Sequence, residues 1–297
     1  MKKLKDKPIG VFDSGIGGLT VVRALMERLP GEDFIYFGDS ARVPYGSKRP
    51  ETVRRFSREN LEFLKSKDVK LIVFACNTAS ALALPALRNE ESLPMTGVIL
   101  PGARSAAAAT RNGNVAVIGT TATVRSGAYE EAIMSINSDI SIISTPCPLF
   151  VSLAEEGWTD NEVARLTAER YLQPVKEFGA DTLVLGCTHY PLLKGVISSV
   201  MGPEVRLVDS ATECATEVES ILDSGSMKNS SGREGSIKVY MSDLPYRFRE
   251  TGERFLSRSI GDIEKVQMQK KERNLWSEVT EEREEIRSGK SGSEEGS

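Results

Sequence analysis

Two segments of the chain place a cysteine just beyond a short apolar run. Cys76 follows the run at residues 71–74 and Cys187 the run at 182–185, each after a small residue and before hydrogen-bonding residues. Both runs have the length and β-branched content of buried strands, and open α/β sheets bind ligands at the carboxyl ends of such strands. We therefore expect two thiols that face one substrate from opposite sides, able to move a proton between the two faces of a carbon. The alternative is that both are small buried apolar residues, as free cysteines usually are.

Each thiol has a candidate helper, and one is needed because a free thiol is mostly protonated at neutral pH. His189, the only histidine, lies two residues beyond Cys187. Strand-end residues two apart point roughly the same way, and histidine titrates near neutrality. Asp13 ends the first apolar run and is the candidate helper for Cys76. The alternatives are a structural histidine and an aspartate that caps the next helix.

Other polar segments suit an anionic amino acid. Hydrogen-bonding side chains beside the thiols are Asn77, Thr78 and Thr188, and residues 43–46 can present backbone amides. Thr120, in the segment GTTAT that precedes a helix, belongs either to an anion site or to a helix cap.

The glycines of the segment at residues 13–18 (DSGIGG) allow the backbone to approach a small carboxylate closely. Their spacing is not G-x-G-x-x-G, and no Lys-Ser/Thr comes after them, so nucleotide binding is the weaker interpretation.

Strand-like runs alternate with helical patterns along most of the chain, which indicates βα units and mostly parallel sheets. Nine runs have strand length and composition: residues 9–12, 34–37, 71–74, 97–100, 115–118, 140–144, 182–185, 205–208 and 237–241. Between the first two, the three-to-four spacing predicts an amphipathic helix with Leu19, Val22, Leu25, Met26 and Leu29 on its apolar face.

A second internal similarity favours two related α/β domains. Residues 10–15 (GVFDSG) resemble residues 206–211 (RLVDSA), since each is a strand followed by Asp-Ser and a small residue. Residues 224–236 are rich in Gly and Ser, which predicts a flexible surface loop. Residues 269–297 are dominated by charged residues, Ser and Gly; 274–286 could form a solvated helix, and the last ten predict disorder.

Composition narrows the class of protein. The net charge of −4 gives no reason to expect a nucleic acid or membrane partner. No apolar run is long enough for a transmembrane helix, and no signal peptide accompanies the basic start, so we expect a cytoplasmic protein. The four cysteines, Cys76, Cys147, Cys187 and Cys214, lack paired spacing and should be free thiols, with no metal site.

Six segments, taken together, resemble the cofactor-independent glutamate racemases of the aspartate/glutamate racemase superfamily. They are VFDSGIGGLTV, YFGDSARVPYG, FACNTASALALPAL, VIGTTATVRSGAY, LVLGCTHYPLL and VDSA, in that order between about residues 8 and 268. FACNTAS and LVLGCTHYP are the specific signatures.

The resemblance implies two similar Rossmann-like or flavodoxin-like α/β domains with the active site in the cleft between them. The first would comprise residues 1–97 and 208–268, and the second, 98–207, would be inserted between these pieces. Residues 269–297 lie beyond the resemblance, and their composition predicts a charged flexible tail without a catalytic role.

It also implies roles for individual residues. Cys76 and Cys187 match the catalytic thiols, with Cys76 acting on D-glutamate and Cys187 on L-glutamate, and Asp13 and His189 match the groups that assist them. Glu155 matches a carboxylate near the second thiol, although Glu156 adjoins it. The substrate-contacting segments are matched by Asp13, Ser14, Tyr45, Gly46, Asn77, Thr78, Thr188 and His189, and Thr120 joins them as a candidate.

The implied activity is interconversion of L- and D-glutamate without cofactor or metal, which supplies D-glutamate for bacterial peptidoglycan, in a cytoplasmic homodimer. Aspartate racemases typically carry an acidic residue in place of His189 and lack the acid at Asp13. The competing interpretations are a related enzyme acting on aspartate or a hydantoin and a non-catalytic amino-acid-binding protein.

Overall fold

The computed structural model describes residues 3–244 and 246–267. It contains ten β-strands in this range: β1 Ile9–Asp13, β2 Phe34–Gly38, β3 Leu71–Phe74, β4 Met95–Gly97, β5 Asn114–Gly119, β6 Ser141–Pro146, β7 Thr182–Gly186, β8 Arg206–Asp209, β9 Ile237–Met241 and β10 Ile263–Lys265.

The α-helices of the same range are α1 Leu19–Arg28, α2 Pro50–Ser66, α3 Asn77–Leu82, α4 Leu84–Glu90, α5 Ile99–Ala109, α6 Thr121–Arg125, α7 Ala128–Ile136, α8 Leu149–Glu156, α9 Glu162–Phe178, α10 Lys194–Met201, α11 Ser210–Ser224 and α12 Phe248–Leu256. Short 3₁₀ helices lie at Leu4–Asp6, Ser40–Arg42, Tyr45–Ser47 and Tyr190–Leu193.

The strands form two sheets, and every described strand pair is parallel. The six-stranded sheet has the order β10-β9-β2-β1-β3-β4, and the four-stranded sheet has the order β6-β5-β7-β8. Four neighbours of the first sheet, β2-β1-β3-β4, therefore repeat the order of the second. This repetition confirms the predicted fold of two similar, parallel α/β units.

The matching order places the cysteines at equivalent positions. In each sheet the chain moves from the first strand to one side and then returns to the other side of it, so the order reverses beside β1 and beside β5. Ligands of open α/β sheets bind at such a reversal, beyond the carboxyl ends of the strands. Cys76 follows β3 and Cys187 follows β7, so each cysteine lies at the reversal of its own sheet.

The central strands are short runs buried on both faces, as parallel sheets covered by helices require. All residues of β1, β3 and β7 are buried. The predicted helix at Leu19 is confirmed as α1, whose buried residues include Leu19, Val22 and Leu25. One hydrophobic cluster contains residues of both sheets, among them Val11 and Leu185. The two sheets are therefore joined by apolar packing as well as by the chain.

One predicted strand is wrong. Of the predicted residues 97–100, only Gly97 lies in a strand, since β4 ends there and α5 begins at Ile99. The run Gly97-Val98-Ile99-Leu100 is too short for periodicity to separate strand from helix. Pro101 lies in the first turn of α5, where proline is tolerated, and the alanines that come after it favour the helix. The three-residue strand β10 was not predicted.

The other predictions about organisation have mixed outcomes. Residues 225–236 are a surface connection without helix or strand, yet Met227 is buried and the Asn229 amide donates to Glu32 Oε1 at 2.7 Å. The predicted domain limit at 207/208 falls inside β8, and the domain limits stay a prediction. The tail after residue 268, with its possible helix at 274–286, lies outside the described residues. No described helix is long and apolar enough to cross a membrane.

Candidate active site

The loops at the carboxyl ends of the two sheets touch one another. Gly17, in the loop after β1, lies so close to the loop after β7 that a Cβ on it would be 2.3 Å from Thr188 Oγ1 and 2.5 Å from His189 Cε1. Such distances exclude any side chain, so glycine is required there. On the other side, Thr78 Oγ1 lies 3.0 Å from Thr120 Oγ1. The candidate residues of the two halves therefore meet between the sheets.

Cys76 is the N-cap residue of α3 and is 6% exposed. Its sulfur contacts the Ser14 hydroxyl, with Sγ and Oγ 3.7 Å apart. Burial, together with the nearby Asp13 carboxylate, raises the pKa of the Cys76 thiol to about 12. Without substrate this cysteine is a protonated thiol, hence a proton donor.

Asp13 is fully buried at the end of β1. Its Oδ2 accepts the Gly15 amide at 2.9 Å, while Oδ1 is buried without a hydrogen-bond partner in the described part of the chain. Burial raises the pKa of this carboxyl, although His189 and the amides of the glycine loop act in the opposite direction. One carboxylate oxygen thus holds an amide of the glycine loop ahead of α1, and the other remains available to a ligand.

Cys187 belongs to a hydrogen-bonded chain of three side chains. Its Sγ lies 3.8 Å from His189 Nδ1, and His189 Nε2 lies 2.9 Å from Glu155 Oε1. Burial by itself lowers the pKa of His189, but its hydrogen bonds to Cys187 and Glu155 raise that pKa to about 10. The imidazole is therefore protonated at neutral pH and can exchange a proton with the sulfur.

The carboxylate that hydrogen-bonds to His189 belongs to Glu155 and not to the adjacent Glu156. Glu156 points to Arg247, with 3.7 Å between Oε2 and Nη1. His189 also packs edge-on against Phe255 of α12, with 5.2 Å between the ring centroids. An apolar wall on one side and a carboxylate on the other fix the orientation of the imidazole.

Three threonine hydroxyls form a triangle between the halves. Thr78, Thr120 and Thr123 have Oγ1–Oγ1 separations of 3.0 to 3.1 Å. Thr120 also accepts the Thr123 amide as the N-cap residue of α6. The two interpretations left open for Thr120 are therefore compatible, because the capping oxygen also belongs to the polar cluster.

Asn77 is held by a residue that the sequence interpretation missed. Its Oδ1 accepts the Tyr129 hydroxyl at 2.8 Å, and its Nδ2 is buried without a partner in the described part of the chain. Tyr129 closes the segment VIGTTATVRSGAY, but nothing in its spacing indicated a contact with the opposite half.

Tyr45 and Gly46 contribute differently from the other predicted residues. The buried Tyr45 hydroxyl donates to Asp39 Oδ2 and accepts from Asn60 Nδ2, so its side chain is held within the six-stranded half. Gly46 packs against Thr120, where a Cβ would lie 2.6 Å from the threonine Cβ. The Tyr45 hydroxyl is therefore already engaged, and the presentation of backbone amides by this segment stays a prediction.

Within residues 3–244 and 246–267, no three His, Cys, Asp or Glu side chains are grouped so that they could hold a metal ion. Cys76, Cys147, Cys187 and Cys214 are all free and buried.

Two parallel α/β units thus place one cysteine at each order reversal, where open α/β sheets bind their ligands. The family model for Asp/Glu/Hydantoin racemase matches residues 9–218, and the chain belongs to that family. It is 56% identical over 263 residues to a glutamate racemase of Geobacter metallireducens, covering 89% of this chain and 97% of that protein.

Solved structures agree with this assignment. Glutamate racemase from Francisella tularensis in complex with D-glutamate superposes with a TM-score of 0.84 at 38% identity, covering 89% of this chain and 98% of that one. Glutamate racemase from Thermus thermophilus in complex with beta-chloro-D-alanine has a TM-score of 0.81 at 45% identity, with the same coverage.

Proposed function

We propose that this protein interconverts L-glutamate and D-glutamate with two cysteines as its acid/base groups. The observation that carries the proposal is the equivalent placement of Cys76 and Cys187 at the order reversals of two sheets whose carboxyl ends meet. Each thiol has its own polar environment, with Ser14 and Asp13 beside the first and His189 and Glu155 beside the second. Both reacting groups are side chains, so the proton transfers require no cofactor.

The unpartnered polar atoms of the site complement the charges of an α-amino acid. Asp13 Oδ1 is an acceptor suited to the substrate ammonium, and Asn77 Nδ2 is a donor suited to a carboxylate. The hydroxyls of Thr78, Thr120 and Thr123 and the amides at the start of α6 supply further donors for an anion. A ligand with one positive and two negative groups, as glutamate has, meets each of these demands.

The reaction requires one thiolate to remove the α-proton while the opposite thiol protonates the other face. From the family resemblance, Cys76 deprotonates D-glutamate and Cys187 deprotonates L-glutamate. The substrate ammonium beside Asp13 would offset the negative charge that disfavours a Cys76 thiolate. On the other side, the neutral His189 imidazole would take up the proton of the Cys187 thiol, and the resulting imidazolium would return it to the sulfur. The carbanion-like intermediate then depends on preorganised donors around its carboxylate in a site closed to water.

We further propose that the protein acts in the cytoplasm as a homodimer and supplies D-glutamate for peptidoglycan. The similarity to glutamate racemases supports the metabolic role. Light scattering of the purified protein over a range of concentrations measures the assembly state, and a monomer throughout would contradict the dimer.

The decisive experiment records the circular dichroism of pure L-glutamate after enzyme addition. The signal should decay to zero, and pure D-glutamate should reach the same endpoint. In deuterium oxide, the α-position of the product should carry solvent deuterium. L-aspartate and a chiral hydantoin serve as alternative substrates. Faster racemisation of either would assign the protein to another activity of its family, and no reaction with any of the three would indicate a binding protein.

A further inference from the structure

The turn that carries the second thiol has one carbonyl group that its own backbone cannot satisfy. In the segment CTHYP, the Tyr190 amide donates to the Cys187 carbonyl at 3.1 Å, and the Leu192 amide donates to the His189 carbonyl at 3.2 Å. The amide that would complete the same pattern on the Thr188 carbonyl belongs to residue 191. That residue is proline, which has no N–H to donate.

The missing hydrogen bond comes from the opposite half of the molecule. Thr20 Oγ1, in the first turn of α1, lies 2.9 Å from the Thr188 carbonyl oxygen. The same hydroxyl lies 3.0 Å from the Gly17 carbonyl, but that carbonyl already accepts the Thr20 amide at 3.0 Å. A hydroxyl has one proton, and the Thr188 carbonyl is the acceptor with the greater need for it. Thr20 is 1% exposed, so water does not compete for this bond.

We infer that Thr20 is a positioning residue that sets the separation of the two thiols by fixing the Cys187–His189 turn against the glycine loop. This inference rests on the proposed racemase function. Thr20 comes after the loop that carries Asp13 and Ser14, and its acceptor lies between Cys187 and His189 in the chain. This hydrogen bond therefore links the two halves within the turn that carries Cys187 and His189, at the place where Gly17 leaves no space for a side chain.

Loss of this hydroxyl should affect catalysis more than substrate binding. A buried carbonyl without its donor destabilises the turn, and a shift of the turn relative to the glycine loop is one way to restore a hydrogen bond. Reactions of preorganised groups are sensitive to such movement, and a displacement of about 1 Å can reduce the rate about 100-fold. The groups assigned to substrate charge, Asp13 and Asn77, are not bonded to the Thr188 carbonyl and should keep their places.

The test compares Thr20→Val, which preserves shape, with Thr20→Ser, which preserves the hydroxyl. We expect Thr20→Val to lower kcat about 10- to 100-fold with little change in KM, and Thr20→Ser to stay within about threefold of the parent because its donor is retained. Thr182→Val is the matched control, since Thr182 is equally buried and its hydroxyl bonds to Asp181 at the distant amino end of β7. The control should keep the parental kcat even if its melting temperature falls.

The same Thr20 substitution made in a Pro191→Ala protein separates a positioning role from a general effect on folding. Pro191→Ala returns an amide that can donate to the Thr188 carbonyl, so Thr20→Val should cost far less kcat in that background than in the parent. Equal losses in both backgrounds, or a normal kcat for Thr20→Val, would overturn the inference. If Thr20→Val does not fold, Thr20→Ala takes its place in the same comparison. If Pro191→Ala is itself inactive, the comparison of Thr20→Val with Thr20→Ser decides, and equal kcat values of these two variants would overturn the inference. A parent protein that fails to racemise glutamate would instead contradict the proposed function.

Discussion

The two candidate thiols differ in the groups around them. Cys76 has a serine hydroxyl and a buried carboxylate nearby, and its pKa is raised to about 12. Cys187 has an imidazole whose pKa is raised to about 10. Before substrate binds, the Cys76 side is therefore a neutral acid. The Cys187 side contains a proton on His189, within a hydrogen-bonded chain of side chains. This asymmetry predicts that the two sides can be disabled separately.

We expect Cys76→Ser and Cys187→Ser each to reduce racemisation by at least about 10²- to 10⁴-fold, the usual contribution of a positioned acid or base. Each variant should still exchange the α-proton of one enantiomer with deuterium oxide, since its remaining thiol acts on one face only. NMR of each pure enantiomer measures the exchange. Cys214→Ser is the control, because Cys214 is also a free buried cysteine, lies in α11 and is not one of the candidate site residues. Near-normal racemisation by either site variant would make that cysteine structural.

Glu155 should determine the protonation of His189. Removing a carboxylate that hydrogen-bonds the imidazolium favours the neutral ring, so Glu155→Gln should lower the pKa of His189 from about 10 toward its ordinary value. His189 is the only histidine, so an NMR titration of its ring signals needs no residue assignment. The alkaline limit of kcat/KM should move to lower pH with it.

Glu156→Gln is the matched control for that titration, because Glu156 adjoins Glu155 but faces Arg247. The midpoint for His189 should be the same as in the parent. Equal shifts in the two variants would mean that general surface charge, and not the contact at 2.9 Å, sets the pKa.

At the scale of elements, the carboxyl ends of the strands carry the chemistry and the amino ends carry stability. Lys70, immediately before β3, is fully buried and its Nζ bonds to Glu32 Oε2 at 2.5 Å, to the Met227 carbonyl at 2.8 Å and to the Lys5 carbonyl at 3.0 Å. Glu32 in turn accepts the Asn229 amide. This buried pair holds the amino end of β3 to the connection at residues 225–236.

We expect Lys70→Met to lower the free energy of unfolding by about 3–5 kcal/mol, because it leaves a buried carboxylate without its partner. The connection at 225–236 should also become sensitive to protease. Urea unfolding and limited proteolysis measure the two effects. The exposed pair Arg58–Glu90 provides the comparison, and Arg58→Met should leave the unfolding midpoint unchanged. A similar small effect for Lys70→Met would show that the pair is not a stabilising link.

The sequence predicts elements well where their pattern is unambiguous. The run at 182–185 is β-branched, buried and bounded by a glycine, and it forms β7. The strand predicted at residues 97–100 is wrong because a four-residue apolar segment also fits the first turn of a helix. The short edge strand β10 has no pattern long enough to detect, since only three residues pair with β9.

Contacts between distant segments could not be predicted in the same way. Cys76, Cys187, Asp13 and His189 were found from the residue types at the carboxyl end of each strand, which are a local property of the sequence. The hydrogen bonds of Tyr129 with Asn77 and of Thr20 with Thr188 span 52 and 168 residues. These hydrogen bonds depend on how the two sheets meet, and the residue spacing within either segment does not predict that arrangement.

For the whole molecule, the repeated strand order explains why one substrate can be reached from two sides. Each half supplies a cysteine from its third strand, and the loops after its first strand, at Asp13 and Thr120, lie beside that cysteine across the order reversal. Because the two carboxyl edges meet, equivalent groups from the halves lie opposite one another. In the proposed reaction, two similar units thereby provide the opposed acid/base pair that a single sheet could not.

All candidate site residues precede residue 190, and the chain up to Val266 forms one compact unit. The Val266 amide donates to the Met241 carbonyl at 2.8 Å, next to the pairing of β10 with β9. We therefore expect a protein that ends after Gln267 to keep the parental kcat, KM and melting temperature. A protein that ends after Gly261, and so lacks β10, should melt at a lower temperature. Circular dichroism of glutamate and thermal unfolding measure both. Loss of kcat in the first truncation, with its fold intact, would assign residues 268–297 a part in the reaction.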